Sequence, residues 1–296
     1  MNDLENQLNL FLIEIFSNHK LNRLPHKFGE NKIFGNPIFG ISSGDDPIFQ
    51  RFKEVVGPKH LTPWEMWNVN GLKGEEKDLR VVSVIFPYSN YIRDSNKNVK
   101  IFPSDQYCVG RNQADRFMDE VIKEMIQFFE KEGFQATSGM LSEVFSVKTG
   151  RKIYSNWSER HIAFAAGLGT FSLHEGLITE VGCNVRITSV ITNAPLKISN
   201  RSSDDPYSNC LFYSNGNCGK CIERCPAKAI SKEGHDKFRC AEYGRYIREN
   251  VIERLNEYLQ PKWTRFNGTL RKRQPPVGCA FCQFNVPCMD KNPTRR

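Results

Sequence analysis

The sequence predicts an α+β protein in two parts, a layered α/β domain over residues 1–200 followed by a small cysteine-bound domain over residues 201–296. Three observations predict it. Two β-branched runs, Arg80–Phe86 (RVVSVIF) and Ile187–Thr192 (ITSVIT), flank a long amphipathic helical pattern, and strand, helix, strand in that order suits a sheet layered with helices. Eight of the ten cysteines fall between Cys210 and Cys288. Between these two compositions runs a polar linker, residues 199–209 (SNRSSDDPYSN).

Each element follows from local pattern. Residues 3–18 carry Leu4, Leu8, Phe11, Leu12, Ile15 and Phe16 at helical spacing, with Asp3 available as a cap. Residues 24–63 are rich in Gly, Pro and aromatics, which predicts irregular structure packed on a core. Arg80–Phe86, bounded by a charged loop and Pro87, is a buried strand. Residues 114–132 place Phe117, Val121, Met125 and Phe128 on one helical face, with Gly133 as a stop. Another helix starts near Asn156, where Glu159 three residues on gives a capping-box-like start, and ends in Gly167 and Gly169. Ile187–Thr192 is the second strand. A last helix spans 236–260 and is ended by Pro261.

With 39% hydrophobic and 25% charged residues the chain reads as an ordinary globular protein. No apolar run approaches the roughly 18 residues of a spanning helix, so no membrane partner is expected. The N-terminus, MNDLENQLNLFLIEIF, lacks a basic n-region and a small-residue cleavage site, and a cytoplasmic location is the expectation. Ten cysteines in that setting point to metal or redox chemistry rather than a disulfide framework.

Cys218, Cys221 and Cys225 before Pro226 spell C-x2-C-x3-C-P, the last three positions of the bacterial ferredoxin run. Residues 201–296 therefore read as a ferredoxin-like domain holding two 4Fe-4S clusters, with structural zinc as the alternative for a C-x2-C pair. The complete run needs a cysteine where this chain has Asn215, and Cys210 is the nearest replacement. Cys240, Cys279, Cys282 and Cys288 form the second group. In two-cluster ferredoxins each group lends its last cysteine to the neighbouring cluster. That rule assigns Cys210, Cys218, Cys221 and Cys288 to a first cluster, and Cys225, Cys240, Cys279 and Cys282 to a second. Cys108 and Cys183 remain, read as small buried hydrophobes. Such clusters call for a low-potential electron donor of the ferredoxin or flavodoxin type.

The stretch SERHIAFAAGLGTFSLHEGLITEVGCNVRITSVITNAPL, followed by CGKCIERCPAKAI and GCAFCQ, resembles the iron-sulfur epoxyqueuosine reductases and the related reductive dehalogenases. The likeness runs from the strand at Arg80 to Cys288. It implies a nitroreductase-like domain that holds cobalamin base-off beside one of two clusters, with reduced cobalt acting on an electrophilic substrate. The acidic residue of the epoxyqueuosine reductases aligns with Tyr154, and a tyrosine donates the proton in the dehalogenase branch, so the resemblance makes Tyr154 the general acid. It also implies cofactor contacts from Tyr107 and Gly110, from His161, and from the turn at Gly167 and Gly169, where a missing side chain would admit a large ring.

The formal charge of +8 gathers at the C-terminus, where Lys262, Arg265, Arg271, Lys272, Arg273, Lys291, Arg295 and Arg296 face Asp290 alone. A solvated tail or a polyanion-binding surface both fit this pattern. Two functional classes stay open: a cobalamin-dependent reductase acting on a small molecule or a tRNA, and an electron-transfer module whose larger domain binds a partner or a flavin.

Overall fold

The two β-branched runs lie side by side at the centre of one antiparallel sheet. In the computed structural model, which describes residues 3–201 and 203–295, strand Arg80–Pro87 pairs along its whole length with Val185–Thr192. Strand Ile38–Ser43 flanks the first and the short strand Ala136–Thr137 flanks the second. The antiparallel pairing makes the layered part α+β.

Strand Arg80–Pro87 is buried at every position after Arg80 because both faces of the sheet are covered. Its side chains alternate between two cores. Val82, Val84 and Phe86 meet Leu8, Leu12 and Phe16 of helix Asp3–Asn18 and Phe117 and Val121 of helix Asp105–Lys131. Val81 and Ile85 turn the other way, toward Phe49, Phe52, Trp67, Trp157 and Ile162.

Several elements differ from expectation. Residues 24–63 contain strand Ile38–Ser43 and helix Ile48–Val55, and helix Pro63–Val69 begins at their end. The glycines and prolines there bracket short elements rather than dissolve them, as Thr62 shows by building a capping box with Glu65 just before Pro63. The long helix begins at Asp105, capped by the Ser104 hydroxyl, so Tyr107 and Gly110 lie inside it. The following helix starts at Glu159 instead of Asn156. Asn156 is engaged elsewhere: its amide accepts from the Ser146 N–H at 2.7 Å and donates to the Val144 carbonyl at 2.8 Å.

Beyond the linker, helix Lys237–Leu255 is capped by Asp236 and sends Ile247, Val251 and Leu255 into the larger core. Phe281, Phe284 and Val286 join the same core, so one apolar interior runs from the N-terminal helix to the cysteine-rich end. The basic segment after Pro261 is a hairpin of strands Lys262–Phe266 and Thr269–Arg273. Phe266 pairs with Val147, whose strand pairs in turn with Tyr154–Ser155, which ties the hairpin to the larger part. Arg296 lies outside the described residues. Among those described, no helix is long and apolar enough to cross a membrane.

Candidate iron-sulfur and substrate site

The eight cysteines of the C-terminal part line two separate cavities. Cys210, Cys218, Cys221 and Cys288 surround one, closed otherwise by Ile178, Leu211, Phe212, Val286 and Pro287. Cys225, Cys240, Cys279 and Cys282 surround the other, of about 290 Å³. Helix Lys220–Arg224 carries Cys221 toward the first, while Cys225 at its C-terminal end faces the second and its sulfur accepts the Ala229 N–H at 3.3 Å. Cys210 caps the helix Leu211–Asn215, and Asn215 turns its side chain to the Asn217 N–H instead.

The chemistry of these donor sets suits a cationic cluster. Burial and the neighbouring Cys288, Cys210 and Cys218 push the Cys221 thiol up to about 12. Burial, with Cys240 and Cys225 nearby, does the same for Cys279. Four sulfurs sharing one buried cavity cannot all ionise alone, but coordination to iron supplies the positive charge that makes each a thiolate.

The surroundings of the two cavities differ. Around the second stand Arg111, Arg160, Arg186 and His235, with Tyr88, Tyr107 and Tyr243. Arg111 and Arg186 both reach Asp115, at 2.7 and 3.0 Å. Burial alone would raise the Asp115 carboxyl, yet Arg111, Arg186 and Lys262 hold it down at about 2. His235 is raised to about 9 by the neighbouring Cys240 and by the Glu175 carboxylate 3.7 Å from its Nδ1.

A third, open cleft of about 710 Å³ lies against both cavities. It shares Ser172 with the first, and Arg160 and His235 with the second. Phe52, Phe164, Phe171 and Leu173 give it apolar walls, and Arg51, Arg160, Arg201 and Lys237 give it cations. Asp46, Glu175, Asp204 and Glu233 share the lining, and Arg160, Arg201 and Lys237 are each ion-paired to one or two of these acids, so the edge is mixed in charge around an apolar floor. Tyr154 and His161 both line this cleft. The Tyr154 ring lies over Gly57, where a Cβ would meet ring carbons at 2.5 Å. His161 shares a 2.8 Å hydrogen bond with the Ser158 hydroxyl, and burial, then Arg160 and His60, lower it to about 3, so its ring is neutral.

The other residues expected at the cofactor lie elsewhere. Tyr107 is buried in the wall of the second cysteine cavity, edge-on to Phe284. Gly110 faces Ile92, Leu24 and Ile33 in the core. Gly167 and Gly169 are needed by the chain's own backbone: a Cβ at Gly167 would sit 2.7 Å from the Asn200 carbonyl oxygen, and one at Gly169 2.3 Å from that of Ile178. Main chain thus occupies the place of a side chain at each glycine, and the turn also lines a separate pocket of about 200 Å³.

Cys183 is more than a small apolar filler. It is buried, and its sulfur lies 3.6 Å from that of Cys288. His174 completes a trio with them, its ring nitrogen within 4.8 Å of both sulfurs. The neighbouring Cys183 and His174 lower the Cys288 thiol to about 5 against the opposing effect of burial. Cys108, in contrast, is an ordinary core thiol near the Pro103 carbonyl. Sequence reasoning missed His174, His235, Arg111 and Arg186, since no spacing links them to the cysteines; only Cys183 left a signal, as a cysteine without a role.

No family model matches the chain. Among solved structures, similarity covers 97% of this chain against an epoxyqueuosine reductase (TM-score 0.42, 18% identity, 70% of that chain). The same share aligns with the Bacillus subtilis enzyme (TM-score 0.44, 18% identity, 66% of that chain). An epoxyqueuosine reductase with an epoxyqueuosine-modified tRNA stem loop gives a TM-score of 0.43 at 18% identity, over 97% of this chain and 70% of that one. In sequence, the epoxyqueuosine reductase of Prochlorococcus marinus (strain NATL2A) is 23% identical over 220 residues, which are 72% of this chain and 59% of the relative's length. The chain is a distant homologue of epoxyqueuosine reductase.

Proposed function

We propose that the protein is an iron-sulfur oxidoreductase in which two 4Fe-4S clusters feed a reduction in the cleft that holds Tyr154. The observation that carries this reading is the sorting of the thiols: four and four around two cavities, each sharing a lining residue with the same cleft. Cys210, Cys218, Cys221 and Cys288 would hold the first cluster and Cys225, Cys240, Cys279 and Cys282 the second. When bound, the clusters supply single low-potential electrons, and a base-off corrinoid in the cleft supplies a strongly nucleophilic metal centre.

The chain's own residues divide the remaining work. Arg51 would meet an anionic group of a cofactor or substrate at the cleft, while Arg160, Arg201 and Lys237 are held in ion pairs with Glu175, Asp46 and Asp204. Phe52, Phe164 and Phe171 would exclude water from the reacting centre. The Tyr154 phenol, at the wall of the cleft, would deliver the proton to a strongly basic, carbanion-like acceptor. His161, neutral and held by Ser158, can donate or accept a hydrogen bond but brings no charge. The hairpin 262–273 exposes Arg271, Lys272 and Arg273 together with Trp263, a surface that suits a polyanion such as tRNA.

A second reading, electron transfer without a corrinoid, is favoured by one observation. Of the five residues expected at the cofactor, only His161 lines the cleft. The deciding experiment is anaerobic reconstitution of the full chain with iron and sulfide, followed by hydroxocobalamin. About eight iron atoms per chain, as two four-iron clusters require, and retained corrinoid absorbance after gel filtration are expected. Stoichiometric zinc, or about four iron atoms, would overturn the cluster assignment; eight iron with no retained corrinoid would leave the electron-transfer reading.

A further inference from the structure

Among the described residues, His174 alone lines both cysteine cavities. Its side chain is buried, with the residue only 4% exposed. The Gly176 N–H donates to Nδ1 at 3.2 Å, so the ring carries its proton on Nε2. That Nε2 is buried and has no hydrogen-bond partner among the described residues. An unpaired buried N–H is costly, which points to an acceptor that completes the site.

Cys183 approaches the same ligand from another side. The Cys183 N–H donates to the Cys288 carbonyl at 2.7 Å and the Asn184 N–H to the Met289 carbonyl at 3.1 Å, pinning the two segments together. Gly182 permits this approach: its φ is +88°, and a Cβ there would lie 2.3 Å from the Met289 carbonyl oxygen. The two sulfurs are left 3.6 Å apart. Cys183 is not among the lining residues of the first cavity, whereas Cys288 is. Once Cys288 binds iron as a thiolate its sulfur can only accept, and the Cys183 thiol is then its natural donor.

We infer that Cys183 and His174 are positioning residues for the first cluster, the Cys183 S–H and the His174 Nε2–H both donating hydrogen bonds to the Cys288 ligand sulfur. Reducing the cluster by one electron adds negative charge to its sulfurs, so two donors stabilise the reduced form and raise the potential. They act at one corner only. The second cluster, ligated by other cysteines, is not touched by Cys183.

This inference rests on the two-cluster reading above, and one experiment separates the two. The reconstituted full chain is titrated redox-potentiometrically with electron paramagnetic resonance detection, and Cys221→Ser identifies which signal belongs to the second cluster. In Cys183→Ala and in His174→Leu, iron stays at about eight per chain while the first cluster's ratio of reduced to oxidised form at a fixed potential falls about tenfold, or about 59 mV. The second cluster's potential stays where it was in Cys183→Ala, and Cys183→Ser, which keeps a donor, restores most of the shift. Unmoved potentials in both variants with both clusters present would overturn the inference. So would loss of iron or a three-iron signal in Cys183→Ala, which would make Cys183 a ligand, or zinc bound at the trio. Should His174→Leu fail to fold, the Cys183 pair decides alone. Fewer than about eight iron atoms in the unaltered chain would overturn the cluster reading and this inference with it.

Discussion

The two cysteine cavities have matched ligand sets and contrasting surroundings. Around Cys210, Cys218, Cys221 and Cys288 the walls are Ile178, Leu211, Phe212, Val286 and two prolines, with His174 the one titratable side chain other than the thiols. Around Cys225, Cys240, Cys279 and Cys282 stand three arginines, three tyrosines and two histidines, His235 and the shared His174. Identical clusters in these two places would not have identical potentials, because each reduction adds a negative charge that cations stabilise and an apolar wall does not. On the proposed two-cluster reading, the second cluster would sit at the higher potential. Arg111 and Arg186 are themselves held by Asp115 and Arg160 by Glu175, so its cationic character depends on an ion network that, among the described residues, has no counterpart lining the first cavity.

The most disruptive way to break this comparison is to remove one site. Cys221→Ser should take iron from about eight to about four atoms per chain and lose the fold around helix Lys220–Arg224, because cluster and loop form together. Iron analysis and the remaining resonance signal check it. A change in the cleft should spare both cavities: Tyr154→Phe keeps both clusters and lowers kcat by about 10²–10⁴-fold, the usual contribution of a positioned general acid. Single-turnover assays with an epoxyqueuosine-modified stem loop or an organohalide would read this.

The ion network offers a smaller effect confined to the second side. Arg111→Met leaves the buried Asp115 with one close partner fewer and should cost about 3–5 kcal/mol in chemical denaturation. It should also lower the second cluster's potential. Acid reaches the same network. Asp115 is depressed to about 2 from an unfolded value of 3.8, so its stabilisation is complete above pH 3.8 and is lost as pH falls from there to about 2. Unfolding of the metal-free chain followed by circular dichroism should show that loss in the wild type, and Asp115→Asn should flatten it. The smallest expected effect lies farthest from either cavity. Arg271→Glu with Lys272→Glu, on the exposed outer strand of the hairpin, should change stability by no more than about 0.5 kcal/mol per site. It should reduce the salt dependence of tRNA binding measured by fluorescence anisotropy.

The residue pattern alone carried the main strands, the long helix and the grouping of cysteines. Arg80–Phe86 and Ile187–Thr192 were legible because β-branched runs bounded by charge and proline have few other uses. Short elements such as Ile38–Ser43 were not, since a six-residue strand between glycines and prolines looks like a loop until a neighbour pairs with it. The start of the helix at Asp105 was hidden for a related reason. Its first turns, Tyr107 to Gln113, are buried by contacts from other parts of the chain and show no one-sided pattern.

At the candidate site the division is equally physical. Thiol spacing is local chemistry: the C-x2-C and C-x3-C-P spacings, with the exchange of last cysteines between groups, led to the same four-and-four grouping that lines the two cavities, with Cys210 rather than Asn215 at the first. What surrounds those thiols is not local. His174, Cys183 and Cys288 are brought together from three segments, and Arg111, Asp115 and Arg186 from two, by packing and main-chain pairing that no spacing rule encodes. The glycines at 167 and 169 make the same point in reverse: a missing side chain announces that something comes close, and only the tertiary structure decided that it is the protein's own backbone.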